Sequence, residues 1–274
     1  MTLDAHQHFW QFDPVRDAWI DHSMRILQRN FLPAELHQTL CDNGIEACIA
    51  VQADQSETET HFLLELAEKN DFIRGVVGWV DLQATALPER LDHFSRYSKL
   101  KGFRHILQGE KPQFMLQPGF MDGIRELGRR GFTYDILVFP KHLSVLRQVL
   151  KKNENQPFVL DHLAKPYLRR GLIRQWEKDM RALARHENLY CKVSGLVTEA
   201  DWKNWRPEDF RPYLDVVFES FGPQRVMYGS DWPVCLLAAD YSTQKAILGQ
   251  YLASFSAAEQ AYFWGENGKL FYGV

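Results

Sequence analysis

The 274-residue chain has no stretch approaching the ~18 consecutive apolar residues of a membrane-crossing helix, so no membrane partner is expected. Nor does it begin with a basic segment followed by an apolar run. Its four cysteines, Cys41, Cys48, Cys191 and Cys235, form no CxxC spacing, which leaves no signal for a thiolate zinc site or a dithiol redox centre. Cys48 and Cys191 lie within apolar runs, where buried thiols are expected, and the pattern points to a reducing, cytoplasmic compartment. An excess of either charge is lacking too. The net charge is −3, with acids and bases interspersed, so no footprint for nucleic acid is present. No GxGxxG or Walker-type loop occurs, which leaves nucleotide binding without a motif, and no GxSxG elbow supports a serine hydrolase.

What the chain does have is alternation. Eight strand-like runs recur, at Thr2–His8, Ala47–Ala53, Ile73–Asp81, Leu100–Ile106, Phe132–Val138, Pro157–His162, Leu189–Ser194 and Arg225–Ser230. Helical patterns separate them. Pro33 and Glu35 open one that Gly44 closes, and Pro207 starts another that Gly222 stops. Capping boxes are predicted at Ser56 with Glu59 and at Ser256 with Glu259. Strands alternating with helices predict a parallel sheet, and eight repeats without a linker predict one (β/α)₈ TIM-type barrel over residues 1–274. The long segments Gln11–Asn30 and Gln108–Gly119 are expected near the mouth of that barrel.

Chemistry in such a barrel belongs at the C-terminal strand ends. Reading them in order gives His6 and His8, Gln52, Trp79 and Asp81, Arg104 and His105, Asp135, Asp161 and His162, Lys192 and Ser194, and Asp231. His6 and His8 are two apart, so a regular strand turns both imidazoles to one face and Leu3, Ala5 and Gln7 to the other. That pair is a pincer for a divalent metal, which Asp231 at the last strand could complete or serve as base. Parity forbids Arg104 and His105 from both facing inward on a regular strand. Asp161 and His162 are bound by the same rule unless the strand has already broken into its loop. Plainer roles exist for each residue: a packed core histidine, a helix cap for Asp231, a structural ion pair for Arg104. Trp10, Trp79 and Trp232 adjoin these positions and offer flat faces suited to a sugar ring, or simply core packing.

The blocks Asp4-Ala5-His6-Gln7-His8-Phe9-Trp10, Gly78-Trp79-Val80-Asp81, Gly102-Phe103-Arg104-His105, Asp161-His162-Leu163-Ala164-Lys165-Pro166 and Gly229-Ser230-Asp231-Trp232-Pro233 resemble the amidohydrolase superfamily. Within it they are most similar to the sugar-acid lactonase branch that acts on L-fucono-1,5-lactone or L-rhamnono-lactone. The resemblance spans essentially the whole chain. It implies a distorted (β/α)₈ barrel with a water-activating site at its mouth, and metal ligands at His6, His8, His162 and Asp231. One divalent ion, zinc, is the implied cofactor, since no carboxylated-lysine position or middle-strand histidine pair for a second ion stands out. A metal-free mechanism is the alternative.

The expected activity is hydrolysis of a sugar lactone to its aldonic acid. Asp231 is the expected base, Arg104 or His105 the oxyanion or substrate partner, and Trp10, Gln52, Trp79, Lys165 and Trp232 the substrate-binding residues. Competing readings are a metal-dependent decarboxylase of the same superfamily and a non-catalytic sugar-binding barrel. The oligomeric state is not encoded in any of these signals.

Overall fold

The computed structural model describes residues 1–274. Eight parallel strands form one sheet in sequence order: β1 (Leu3–Gln7), β2 (Ala47–Val51), β3 (Ile73–Gly78), β4 (Leu100–His105), β5 (Thr133–Ile136), β6 (Phe158–Leu160), β7 (Leu189–Val193) and β8 (Val226–Tyr228). Every strand falls inside its predicted run and is shorter than it. The surplus residues, such as Gln52, Asp81 and His162, belong to the loops, where side chains take over the hydrogen bonding.

The sheet nearly closes on itself. Beyond the end of β8 the chain rejoins β1: the Asp231 N–H donates to the His6 carbonyl (2.8 Å) and the His8 N–H to the Trp232 carbonyl (2.7 Å). The first and last motifs thereby become neighbours.

Helices between the strands cover the outside. Pro33–Asp42 ends at Asn43 and Gly44 (φ +64°), and Pro207–Phe221 stops at Gly222, as predicted. Ser256 and Glu259 form the full reciprocal box. Ser56 caps Glu57–Lys69 through the Glu59 N–H (3.1 Å), but its box is incomplete. The Glu59 carboxylate turns instead to the Ala53 N–H (2.6 Å), at the mouth. No helix is long and apolar enough to cross a membrane.

The two faces of the sheet bury different clusters. The outer face shares 66 buried apolar residues with the helices, among them Cys48, Phe103, Tyr134 and Phe158. The inside holds a cluster of ten, with Leu3, Ala5, Ile49, Val51, Val77, Val159 and Met227 from the strands. Phe271 and Tyr272 join it from the helix Asn267–Tyr272, which lies across the N-terminal end of the barrel. There Asn267 Nδ2 donates to the Val226 carbonyl (2.7 Å), and a Cβ on Gly268 would meet the Leu3 side chain.

Candidate active site

Strand β1 is irregular where its histidines begin. Leu3 pairs with Ala47 and Asp4 with Cys48, whereas Gln7 pairs with Ala50, so β1 spends one residue more than β2 between those points. This is a β-bulge, with Ala5 and His6 both opposite Ile49. It corrects the regular-strand reading: only Gln7 keeps the opposite face, and Leu3 and Ala5 lie inside the barrel below the histidines. Asp4, which faces the helices, holds the bulge. Its Oδ1 accepts the N–H groups of His6 (3.1 Å) and Ser230 (2.9 Å), and its Oδ2 accepts the Tyr241 hydroxyl (3.1 Å). Burial pushes the Asp4 carboxyl up to about 6, against those hydrogen bonds. One side chain thus ties the backbone of His6 to that of Ser230, the residue before Asp231.

The end of β6 breaks in the way that frees both of its polar residues. From His162 to Lys165 four consecutive residues have φ between 48° and 58°. Such a left-handed run is costly without glycine and persists only where its surroundings hold it. Asp161 and His162 both point inward as a result. Asp231 also sits at φ 57°. Space at the centre depends on Gly229, where a Cβ would lie 2.6 Å from that of His6.

Four side chains converge there. His6 Nε2 is 3.2 Å from His8 Nε2 and 3.9 Å from Asp231 Oδ1; that oxygen is 3.4 Å from His8 Nε2 and 3.9 Å from His162 Nε2. Ligand atoms around a tetrahedral ion with bonds of ~2.1 Å stand about 3.4 Å apart, so the spacing fits a divalent cation. The far side of each ring is engaged. His8 Nδ1 donates to the Val51 carbonyl (2.7 Å), His162 Nδ1 meets Ser194 Oγ (2.8 Å), and His6 Nδ1 faces Asp161 Oδ1 (3.2 Å). Such partners fix ring orientation and leave Nε2 for a ligand. Burial holds His6 and His162 well below the ordinary imidazole value, which keeps them neutral as ligation requires. Burial opposes the charge on Asp231, but His162 and His8 beside it hold the carboxyl below its ordinary value. Metal-capable donors form two groups that share His6: His6, His8 and Asp231, and His6, Asp161 and His162.

Beneath this cluster lies a layer of paired charges. Arg104 Nη1 reaches Asp161 Oδ2 (3.1 Å) and His6 Nε2 (3.3 Å), and its Nη2 donates to the Gln52 carbonyl. Lys192 Nζ lies 2.5 Å from Asp135 Oδ2, 3.1 Å from Asp161 Oδ1 and 3.2 Å from His6 Nδ1. Burial alone would raise the Asp161 carboxyl; Lys192, His6 and Arg104 hold it well below the carboxylate range. Asp135 has fewer cations around it, and burial lifts it to about 6.

Other expected site residues lie elsewhere. Of Arg104 and His105, Arg104 is the one that faces into the barrel. His105 turns away from the converging side chains, stacks on Phe114 (5.2 Å) and receives the Trp79 indole N–H (3.4 Å). Trp10 and Trp232 are corrected as well. Trp10 gives its N–H to the Arg29 carbonyl and packs on Phe31; Trp232 packs on Phe31 and Phe9, and both are at most 3 % exposed. Neither presents a ring face to the cluster. Gln52 is fully buried and clamps Arg104, donating from Nε2 to its carbonyl (3.0 Å). Asp81 is exposed and caps the N–H of Gln83. Lys165 stands at the rim, paired with Glu199 (3.1 Å). The Gln11–Asn30 segment lies on this side too, its turn at His22–Leu27 packed against Val234–Leu237. A cleft of about 390 Å³ opens beside it, lined by Trp10, Arg16, Asp54 and Glu59. Sequence reasoning missed Asp4 and Tyr272. The parity of Asp4, opposite to that of the inward residues below the bulge, was the available signal for the first; nothing local signals the second.

A sequence profile of the amidohydrolase family matches residues 3–274. The chain is 40% identical over 277 aligned residues to the L-fucono-1,5-lactonase of Burkholderia multivorans (strain ATCC 17616 / 249), covering 97% of this chain and 93% of that protein. It is 33% identical to the L-fucono-1,5-lactonase of Burkholderia ambifaria, covering 99% and 95%. A crystal structure of an amidohydrolase from Burkholderia multivorans with bound zinc superposes with a TM-score of 0.97 at 39% identity, over 100% of this chain and 99% of that one.

Proposed function

This chain belongs to the amidohydrolase family, and on that footing we propose that it is a lactonase that opens a sugar lactone to the aldonic acid. One observation carries the reading. Three imidazoles and a carboxylate converge at the mouth of a barrel whose sequence is 40% identical to an L-fucono-1,5-lactonase. His6, His8, His162 and Asp231 would hold a single divalent ion, zinc by analogy with the neighbouring structure. When bound, such an ion supplies Lewis-acid polarisation of the carbonyl or a lowered pKa for water.

The chain's own groups account for the remaining chemistry. Asp231 keeps one carboxylate oxygen toward the histidines and can use the other as general base. It takes a proton as the water oxygen bonds to the lactone carbonyl carbon. Negative charge then gathers on the former carbonyl oxygen, and Arg104, the buried cation beside His6, is placed to stabilise it. As the ring C–O bond breaks, the proton on Asp231 passes to the leaving alkoxide. Trp79, half-buried at the rim, and Lys165 are the remaining substrate contacts. An unphosphorylated six-carbon or 6-deoxy lactone is the proposed substrate class, because Lys165 at the rim is paired with Glu199 and Lys192 is buried between two carboxylates. We place the activity in cytoplasmic sugar-acid catabolism, in keeping with the buried, unpaired thiols of Cys48, Cys191 and Cys235.

The test is proton release from L-fucono-1,5-lactone and L-rhamnono-lactone, run with and without chelator beside elemental analysis. Hydrolysis at kcat/KM of about 10⁴ M⁻¹s⁻¹ or above is expected, with about one zinc per chain and activity lost on chelation. Carbon dioxide released from an aromatic acid, with no lactone opened, would replace the lactonase by a decarboxylase. Full activity in chelator would move the oxyanion stabilisation to Arg104 alone.

A further inference from the structure

The helix across the N-terminal end of the barrel carries a tyrosine whose hydroxyl packing alone does not explain. The Tyr272 ring is 3 % exposed and belongs to the apolar cluster inside the barrel, a place that phenylalanine would fill equally well. Its hydroxyl instead donates to Asp135 Oδ2 (2.8 Å), the oxygen that also holds Lys192 Nζ. Lys192 in turn lies against both Asp161 and the inner nitrogen of His6.

We propose that Tyr272 is a positioning residue for His6, acting from the opposite end of the barrel through Asp135, Lys192 and Asp161. The physical argument concerns how one ammonium group is shared. Lys192 donates to two carboxylates, Asp135 below it and Asp161 above, and its Nζ also packs 3.2 Å from His6 Nδ1, whose own N–H faces Asp161. Its position along the barrel axis is set by the balance between the lower carboxylate and the upper pair. The Tyr272 hydroxyl satisfies part of the charge on Asp135, which moderates the downward pull on Lys192. Without that hydroxyl, Asp135 Oδ2 has Lys192 as its one remaining side-chain partner, and the ammonium is drawn toward the floor. Asp161 and the His6 ring then lose a fixed neighbour. Arg104 holds Asp161 from the other side, so the expected effect is a reorientation of His6 rather than its release. Buried polar networks transmit such changes because no water is present to replace a missing partner.

Histidine-selective ¹⁵N spectra of the protein as purified provide the test, with the His6 signals assigned by their loss in His6→Gln. Tyr272→Phe is expected to move the His6 ring resonances and to lower kcat on the lactone roughly three- to tenfold, less than a direct partner of a ligating histidine would cost. KM should stay within about twofold of wild type. Phe271→Leu is the packing control, since Phe271, in the same helix as Tyr272, rests on Tyr190 of β7 (5.1 Å between rings). It should lower Tm while leaving the His6 signals and kcat in place. Unmoved His6 signals in Tyr272→Phe, an unchanged kcat, or equal movement in Phe271→Leu would overturn the proposal. If Tyr272→Phe fails to fold, Asp135→Asn, at the acceptor end of the same bond, is judged by the same criteria. The activity arm rests on the lactonase reading but the spectra need no substrate, so failure of the two can be told apart.

Discussion

The outer and inner faces of the barrel sheet are equally dry, yet they are built on different terms. Outside, 66 buried apolar residues share the packing, and Asp4 is the one side chain described there that fixes a site residue's backbone. Inside, a small apolar floor supports Arg104, Asp135, Asp161 and Lys192, two cations and two carboxylates, each at most 4 % exposed. Charges taken out of water are tolerable only when paired at close range, so each inner group constrains its neighbours in distance and direction. The outer face therefore supplies stability that many sequences could supply. The inner face, together with Asp4, supplies position, which few substitutes could do.

The sharpest way to break that contrast is to damage each face alone. Phe94 is fully buried on the outer side, packed on Phe103, His61 and His93 rather than on any of the four converging side chains. Phe94→Ala is expected to cost roughly 3–5 kcal/mol in urea unfolding, with kcat per folded molecule unchanged. A large fall in kcat would mean that outer packing also sets the site. Asp231→Asn reverses the pattern. It should lower kcat by about 100-fold or more, near 3 kcal/mol, while thermal unfolding stays within a few degrees of wild type. Near-normal turnover would return Asp231 to a structural role.

The third prediction sharpens the comparison by asking what a buried charge does without a close cation. Burial lifts Glu59, at the mouth, to about 7 from its ordinary 4.5. The native state then binds that proton more tightly than the unfolded chain, so wild-type stability falls as pH rises from about 4.5 to 7. Glu59→Gln removes the titration and leaves an oxygen for the Ala53 N–H. Its stability advantage should be small at pH 5 and grow to about 2 kcal/mol at pH 8, followed by Tm across that range. The paired Asp161 has the opposite sign. Lowered by Lys192, His6 and Arg104 despite its burial, it contributes stability above the unfolded carboxyl value that is lost as pH falls below it. A Glu59→Gln advantage that is flat with pH would remove the distinction.

Much of this architecture was legible because periodicity and caps are local. The eight runs, the Gly44 and Gly222 stops and the Ser256 box all depend on residues close in sequence. So does the convergence of His6 and His8, although a regular strand placed Leu3 and Ala5 on the wrong side. The bulge depends on register with β2, some forty residues away, and Asp4 secures it through Ser230 and Tyr241, farther still. Trp10 and Trp232 differ from expectation for another reason. A tryptophan beside polar strand ends has the same sequence signature whether it stacks on a ligand or fills the core. Tyr272 lay beyond local reasoning altogether, because its partner Asp135 comes from the middle of the chain.

The bulge at Ala5 and His6 also bears on how gaps between kindred sequences should be understood. Below it Leu3 faces the bore and Asp4 the helices; above it Gln7 faces the helices and His8 the bore. Removing Ala5 would restore strict alternation without turning either imidazole outward. A one-residue deletion at this point is therefore silent for direction, while a deletion two residues later would turn the first imidazole away. What the shorter version forfeits is the bend in β1 and the amide that Asp4 captures, so the same pair of rings would point inward with a looser anchor.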